Sequence, residues 1–375
     1  MNHRYTCGPT IRMAVAMLAL SLGCAASCSA TQAQENGRTS PRPLIAVIGE
    51  NEGTEVTDFV VPYGVLSASG AADVVDVSVH PGPLRMMPAL TVIAKETIAS
   101  FDAKHPAGAD YVVVPAVHRS TDQTLITWVQ AQARSGATIV GVCDGVWVVG
   151  RAGLLENRAA TGHWYSRSDL ERAFPHTRWI RDRRYVEDGP VITTTGVTAS
   201  LPVSLALVER IAGPDRAAAV ARELGVSSWT PDHRSEDFRL TVRHAATAAL
   251  NWLGFWRYER IGIPVAPGVD EMSLGFTVDA FGRTYRTTAV ALGDRQTIVT
   301  KRGLTIIPDA ADPPRAAARL DRIEPPPPAD VPPAQALDRA LDTIAHLYGL
   351  HTAQFVALQV EYPWARSDLA VHSPP

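Results

Sequence analysis

The sequence predicts an α/β fold in which helices cover both faces of a parallel sheet. From residue 44 onward, short continuous apolar runs alternate with segments of helical periodicity, as in a sheet buried on both faces. The chain has 375 residues, of which 46% are hydrophobic and 19% charged, a composition typical of a folded globule with one or two domains. Its formal net charge of −3 shows no cationic excess for binding nucleic acid.

Four apolar runs are predicted as strands of this sheet, at 44–48, 74–79, 111–115 and 138–142. Helices are predicted over about 60–69, 121–135, 144–155 and 201–224. In a sheet of this kind, ligands bind in the crevice at the carboxyl ends of the strands. Residues that follow a predicted strand are therefore the first candidates for a functional site.

The first 42 residues have the pattern of an export signal. Arg4 and Arg12 precede an apolar run at 13–22, which is too short to span a bilayer, and small residues follow it. We predict a signal peptide at 1–30 and a linker at 31–42. The protein is therefore expected in the periplasm or outside the cell.

Cysteine usage is informative in such a compartment. An alternative to plain export is a lipoprotein signal at 20–24, which would place a lipid on Cys24. Cys7, Cys24 and Cys28 all precede the predicted mature body, so only Cys143 remains and no intramolecular disulfide is expected. A lone thiol in an oxidising compartment is a liability unless it is buried or used.

Cys143 lies in a G-x-C-x-G segment between a predicted strand and a predicted helix, which is the pattern of a nucleophile elbow. Such a turn exposes the sulfur at the sheet edge, and a helix N-terminus favours the thiolate, so we expect a lowered thiol pKa. The backbone N–H of Asp144 is a candidate oxyanion donor. The simpler alternative is an inert buried cysteine, with Gly141 and Gly145 serving only the turn.

Several blocks around this elbow resemble, in the same order, the ThiJ/PfpI family of the class I glutamine-amidotransferase-like superfamily. The resemblance covers about residues 43–229 and implies a flavodoxin-like parallel sheet sandwiched by helices. The blocks are the elbow itself, 53–59 with Pro62, 108–115, 152–155 with 160–164, and 193–196 leading into 205–209.

The resemblance implies a role for three side chains. Cys143 matches the reactive cysteine, Asp58 matches an acidic residue that reaches the sulfur and shares its proton, and His163 matches a candidate acid or base. Asp58 could instead cap the helix that follows it, and His163 could be a buried core histidine.

The chain also departs from the family pattern at two positions. Asp144 follows the cysteine where some members carry His, which disfavours a peptidase. Ala116 and its neighbours replace a Gly-Gly pair after the third strand, so the second oxyanion donor stays open.

The second half repeats part of the first. Residues 261–282 resemble 46–67 at an offset of 215, and similar pairings follow in the same order for 302–307 and for the tail. We interpret 259–375 as a truncated, degenerate lobe without an elbow cysteine. Ser273 stands in the position of Asp58, so a purely structural role is expected for this lobe.

Residues 230–258 are predicted to form a connecting helix. Its apolar side chains favour packing between the two halves, and an interfacial membrane helix is the alternative. Arg239, Arg243, His244 and Asn251 interrupt the apolar pattern, so no membrane span is predicted.

The resemblance implies a reactive cysteine that acts on a small electrophile of the carbonyl or isocyanide type, as a hydrolase or lyase, and the N-terminal pattern predicts that the protein is exported. The alternative is a non-catalytic periplasmic module that binds a ligand or senses redox state, related to the sensor domains of AraC-type regulators. No metal-ligand motif or phosphate-binding glycine loop is evident, so neither metal nor cofactor is expected. The expected partner is a small molecule rather than nucleic acid, and a homodimer is left open.

Overall fold

A seven-stranded sheet forms the centre of the computed structural model, which describes residues 42–310, 319–325, 328 and 330–364. All neighbouring strands are parallel except the edge pair β11 and β12. The predicted α/β fold with a mainly parallel sheet is confirmed. In spatial order the strands are β11 (Tyr185–Asp188), β12 (Val191–Thr194), β8 (Thr138–Gly141), β7 (Tyr111–Val114), β1 (Leu44–Gly49), β3 (Asp73–Ser78) and β6 (Glu96–Thr97).

Alternate residues of β1 face two separate apolar cores. Ile45 and Val47 pack in the core that also contains α1, α6 and α7, whereas Ala46 and Ile48 pack with α3 and α4 on the other face. The helices of this first lobe are α1 (Val56–Ser69), α2 (Ile98–Lys104), α3 (Gln123–Arg134), α4 (Val146–Arg151), α5 (Arg167–Ala173), α6 (Ser200–Ala212) and α7 (Pro214–Leu224). Short strands complete it: β2 (Thr54–Glu55), β4 (Leu84–Met87), β5 (Thr91–Ile93), β9 (Ala159–Ala160) and β10 (Arg178–Trp179).

Two helix predictions differ from the structure. The single helix predicted over 201–224 is two helices, because Gly213 has a φ of 83° and Pro214 starts a new helix without needing an N–H partner. The helix after the elbow is also shorter than predicted. It is a 3-10 turn at Cys143–Gly145 followed by α4, which ends at Arg151.

The turn after β8 has the tight geometry that the glycine pattern predicts. Cys143 has a φ of 53°, in the left-handed region that non-glycine residues rarely adopt. A Cβ at position 145 would lie 2.0 Å from the carbonyl oxygen of Val114, so the elbow packs directly on the end of β7. Gly145 is therefore required by space rather than by its own backbone angles.

The second lobe follows the order of the first. Its β13 (Glu259–Pro264) and α9 (Glu271–Gly282) begin 215 residues after β1 and α1, and β14 (Thr287–Leu292) pairs with β13 in parallel as β3 does with β1. Its described residues also form β15 (Ile298–Val299), β16 (Thr305–Ile307), β17 (Arg322–Ile323), α10 (Ala336–Tyr348) and α11 (Leu350–Gln359). The last two helices match α6 and α7, and they meet at Gly349, which has a positive φ like Gly213.

The two lobes pack through equivalent elements. Antiparallel pairing of β16 with β5 joins strands of both lobes into one five-stranded sheet, in which Ile306 is opposite Val92. Helix α9 crosses α1 so closely that a Cβ on Gly275 would lie 2.4 Å from Val60 Cγ2. These residues stand 215 positions apart, so each helix contacts its own counterpart.

The connecting segment differs from its predicted role. Only α8 (Val242–Leu253) is a regular α-helix within 230–258, and most of its apolar side chains are exposed instead of packed between the lobes. No helix in the described part of the chain is long and apolar enough to cross a bilayer. The predicted signal peptide at 1–30, the linker up to residue 41 and Cys24 lie outside the described residues.

Substituting Gly145 tests the elbow packing. Gly145→Ala should lower the free energy of unfolding by roughly 3 kcal/mol or more, because the new methyl group meets the Val114 carbonyl. The matched control is Gly70→Ala, where the backbone is left-handed but the nearest heavy atom is 4.0 Å away, and about 1 kcal/mol is expected. Urea unfolding of both variants measures the difference, and equal losses would contradict the proposed contact.

Candidate active site

Cys143 lies at the carboxyl end of β8, where the sequence places it, but its side chain is only 5% exposed. Its backbone N–H donates to Thr194 Oγ1 at 2.9 Å, which ties the elbow to the end of β12. The elbow therefore holds the thiol inside the protein at the sheet edge.

Two carboxyl groups at the start of α1 lie close to this thiol. Glu55 is the N-cap of α1, since its carboxylate accepts the backbone N–H of Asp58 at 2.6 Å. Asp58 is therefore not the cap, and it is fully buried. Its Oδ2 accepts the Ala116 N–H at 3.1 Å, whereas its Oδ1 has no hydrogen-bond partner among the described residues.

The second lobe supplies the positive charge of the site. Arg283, just after α9, donates from Nη2 to Glu55 Oε1 at 2.8 Å and from Nε to Asp279 Oδ1 at 2.6 Å. The purely structural role expected for this lobe is therefore incomplete. Sequence reasoning missed both Glu55 and Arg283, although an acidic residue before α1 and an Asp–Arg pair four residues apart were visible.

Burial and local charge determine the protonation of this cluster. Burial raises the pKa of Asp58 to about 8, although the Ala116 N–H and Arg283 oppose the rise. Burial, together with the charges of Asp279 and Asp58, also raises the pKa of Glu55 well above its usual value. Asp58 is therefore mainly neutral at neutral pH.

The thiol is also mainly neutral. Burial raises the pKa of Cys143 well above its ordinary value, and the charges of Asp58, Asp144 and Glu55 raise it further. The lowered pKa expected from a helix N-terminus is therefore wrong, because desolvation and neighbouring carboxyls outweigh the short turn that follows Cys143. The elbow presents a thiol instead of a resting thiolate.

The other predicted residues contact different groups. Asp144 accepts the Ser166 hydroxyl through Oδ2 at 2.8 Å, and an oxyanion role for its N–H stays a prediction. His163 Nε2 lies 3.0 Å from the Gln359 carbonyl oxygen, so this ring anchors the second lobe and makes no hydrogen bond to Cys143 in the described structure. The Ala116 N–H, which follows the third predicted strand, already donates to Asp58.

A cavity of about 580 Å³ is lined by residues of both lobes and of the connecting segment, and neither Cys143 nor Asp58 lines it. Its lining includes Gly162 and Thr195, which are chain neighbours of His163 and of Thr194, the partner of the Cys143 N–H. Glu361 of the second lobe and His233 also line it. Within the described ranges, no group of three or more His, Cys, Asp or Glu side chains is arranged to hold a metal ion.

Comparison with known proteins agrees with this architecture. Residues 44–210 match the model of the DJ-1/PfpI family. The first lobe is a DJ-1/PfpI domain. Isonitrile hydratase from Pseudomonas putida is 32% identical over 112 residues, which are 29% of this chain and 47% of that protein. The HTH-type transcriptional regulator CdhR from Pseudomonas aeruginosa is 28% identical over 129 residues, or 34% of this chain and 38% of that regulator.

Solved structures similar to the DJ-1/PfpI lobe include DJ-1beta from Drosophila melanogaster. It is 19% identical, covers 50% of this chain and 99% of its own, and has a TM-score of 0.45. The chain matches less than half the length of the curated relatives named above.

Removing the Arg283 charge should destabilise the protein in a pH-dependent way. In Arg283→Met, Glu55 and Asp279 are buried without a counter-charge, which should cost roughly 3–5 kcal/mol at neutral pH. The loss should shrink as pH falls toward about 4. Above that pH the carboxyl groups of the unfolded chain release their protons, whereas the buried carboxyls of the folded variant retain them. The free energy of unfolding of the variant should therefore fall as pH rises. Thermal unfolding across this range measures it. The control is Arg172→Met, at an exposed pair, and a pH-independent loss in Arg283→Met would contradict the account.

Asp58→Asn should alter the ionisation of Cys143. In the wild type, Asp58 becomes negative as pH rises through about 8 and so opposes thiolate formation. Without this charge, the midpoint of Cys143 alkylation by iodoacetamide should move to lower pH. Mass spectrometry of the labelled peptide against pH gives the profile, with Asp169→Asn, an exposed acid, as control. Superimposable wild-type and Asp58→Asn profiles would mean that Asp58 does not affect the thiol.

Proposed function

We propose that the DJ-1/PfpI lobe uses Cys143 to add to a small, uncharged electrophile of the isocyanide or carbonyl type. The observation that carries this proposal is the buried Asp58, whose unpartnered Oδ1 accompanies a pKa of about 8. A neutral carboxyl beside a neutral thiol is an acid that can donate one proton and accept another. The site thus contains both a nucleophile, the Cys143 thiol, and a proton donor, the Asp58 carboxyl, without a resting thiolate.

With an isocyanide, the sulfur of Cys143 forms a bond to the terminal carbon. Asp58 donates its proton to that same carbon and accepts the thiol proton, so the product is a neutral thioimidate on Cys143. Water then adds to this carbon and the carbon–sulfur bond breaks, releasing an N-substituted formamide and restoring the thiol. With an aldehyde, the same transfer delivers the proton to the carbonyl oxygen and gives a hemithioacetal.

Charge and access favour a small neutral substrate. Glu55, Asp58 and Asp144 all raise the pKa of Cys143, so the site disfavours a second anion at the sulfur. The cavity of about 580 Å³ that Gly162 and Thr195 line is our proposed access route. The relative named isonitrile hydratase supports isocyanide chemistry over the stretch that it shares with this chain.

The second candidate function is a ligand-binding or redox-sensing module. Several relatives are HTH-type transcriptional regulators, and their shared stretches cover 28–38% of each regulator. A thiol that is 5% exposed, with a raised pKa, also suits a slow sensor. Because these relatives are regulators, the predicted absence of a nucleic-acid partner stays a prediction. Export to the periplasm is likewise our proposal, based on the basic and apolar pattern at 1–30.

Turnover separates the two candidates. Incubation with a small alkyl isocyanide should yield the formamide, which proton NMR detects. Cys143→Ala should lose this activity, while its free energy of unfolding should stay within about 1 kcal/mol of the wild-type value. Asp58→Asn should lower the rate roughly a hundredfold, because it removes the proton donor. An aldehyde substrate gives the second assay. Ligand-induced stabilisation without turnover of either compound would contradict the enzyme and favour the sensing module.

A further inference from the structure

An exposed apolar surface surrounds helix α8. We define this α8 surface by six side chains that are 55–87% exposed: Val242, Leu250, Trp252, Leu253, Phe255 and Trp256. An isolated exposed apolar side chain is ordinary, but several large ones within one short segment are not. Neither the DJ-1/PfpI site nor the contact between the lobes uses this surface.

Helix α8 has its polar side turned inward. Its buried residue is Asn251, which donates to the Thr284 carbonyl oxygen at 2.9 Å and to Thr352 Oγ1 at 3.2 Å. At about 100° per residue, Val242 and Leu253 lie on the opposite side of the helix from Asn251. This arrangement is the reverse of an ordinary surface helix, whose apolar face points into the core. The exposed apolar face therefore needs an explanation outside the monomer.

The segment that carries the α8 surface is rich in arginine. Between residues 239 and 260 the chain has four arginines, Arg239, Arg243, Arg257 and Arg260, and a single acid. That acid, Glu259, already accepts the Tyr348 hydroxyl at 2.7 Å. A partner that covers this surface must therefore be apolar at its centre and negatively charged around it.

We propose that the α8 surface docks on an anionic lipid bilayer. Tryptophan and other aromatic side chains favour the boundary between headgroups and acyl chains, and flanking arginines are attracted to anionic headgroups. A helix of twelve residues is about 18 Å long, so it lies in the plane of the interface instead of spanning it. A second copy of the chain fits less well, because a two-fold contact would place the same arginines against one another.

Vesicle sedimentation of the full chain tests the proposal. The protein should sediment with vesicles of equimolar phosphatidylcholine and phosphatidylglycerol, and much less with phosphatidylcholine alone. Tryptophan emission should shift to the blue on binding. Arg239→Gln/Arg257→Gln should weaken partitioning at low salt by roughly thirtyfold, since each basic residue near an anionic surface contributes roughly fivefold.

Apolar variants distinguish this surface from other lipid-binding parts of the chain. Leu250→Gln/Trp252→Gln should weaken binding at least about tenfold, whereas Ile93→Gln/Val299→Gln, on exposed strands of the sheet shared by the lobes, should not. All of these side chains are exposed, so the folds should be retained. Undiminished vesicle binding of Leu250→Gln/Trp252→Gln would overturn the proposal, as would equal binding of the wild type to both kinds of vesicle. If sedimentation velocity shows that the wild type is a dimer and that Leu250→Gln/Trp252→Gln is a monomer, the α8 surface binds a second copy of the chain instead.

Discussion

The ion pair between Arg283 and Glu55 connects the fold of this protein to its chemistry. One guanidinium from the second lobe balances Glu55 and Asp279, while Asp58 and the Cys143 thiol lie in the same buried environment. Without that cation, Glu55 of the first lobe and Asp279 of the second would be buried with no counter-charge, which is strongly unfavourable. The second lobe therefore supplies a charge that opposes the effect of burial on the pKa of Asp58 and Cys143, and the two lobes act as one structural unit.

The contacts of the second lobe explain how a degenerate copy came to fit so closely. Thr57 donates to Asp279 at 3.2 Å, and a Cβ on Gly64 would meet Met272 at 2.6 Å. Thr57 and Met272 stand 215 positions apart, and so do Gly64 and Asp279. The two contacts are therefore equivalent, and α1 and α9 are related by a local two-fold axis. A single chain thus forms a two-fold contact of the kind that two identical chains form in a homodimer, but the sequences of its two halves can differ. Arg283, for instance, stands where the first lobe has Ala68.

Local patterns predicted much of the architecture and the position of the nucleophile. Apolar runs predicted four of the seven strands of the central sheet to within a residue or two, but not β6, β11 or β12. The glycines predicted the turn at Cys143, and the 215-residue offset predicted β13 and α9. The thiol pKa was predicted wrongly, because it depends on burial and on charges brought from distant segments. The exposure of α8 was also missed, since an apolar pattern does not reveal whether a core or an external partner covers it.

Asp58 keeps its proton at neutral pH because burial outweighs the charge of Arg283. Infrared difference spectra between the wild type and Asp58→Asn measure this directly. We expect the carbonyl stretching band of a neutral carboxyl at neutral pH, and this band should disappear as pH rises through about 8. An Asp58 signal that is a carboxylate at neutral pH and gains its proton only near the ordinary value of about 4 would contradict it.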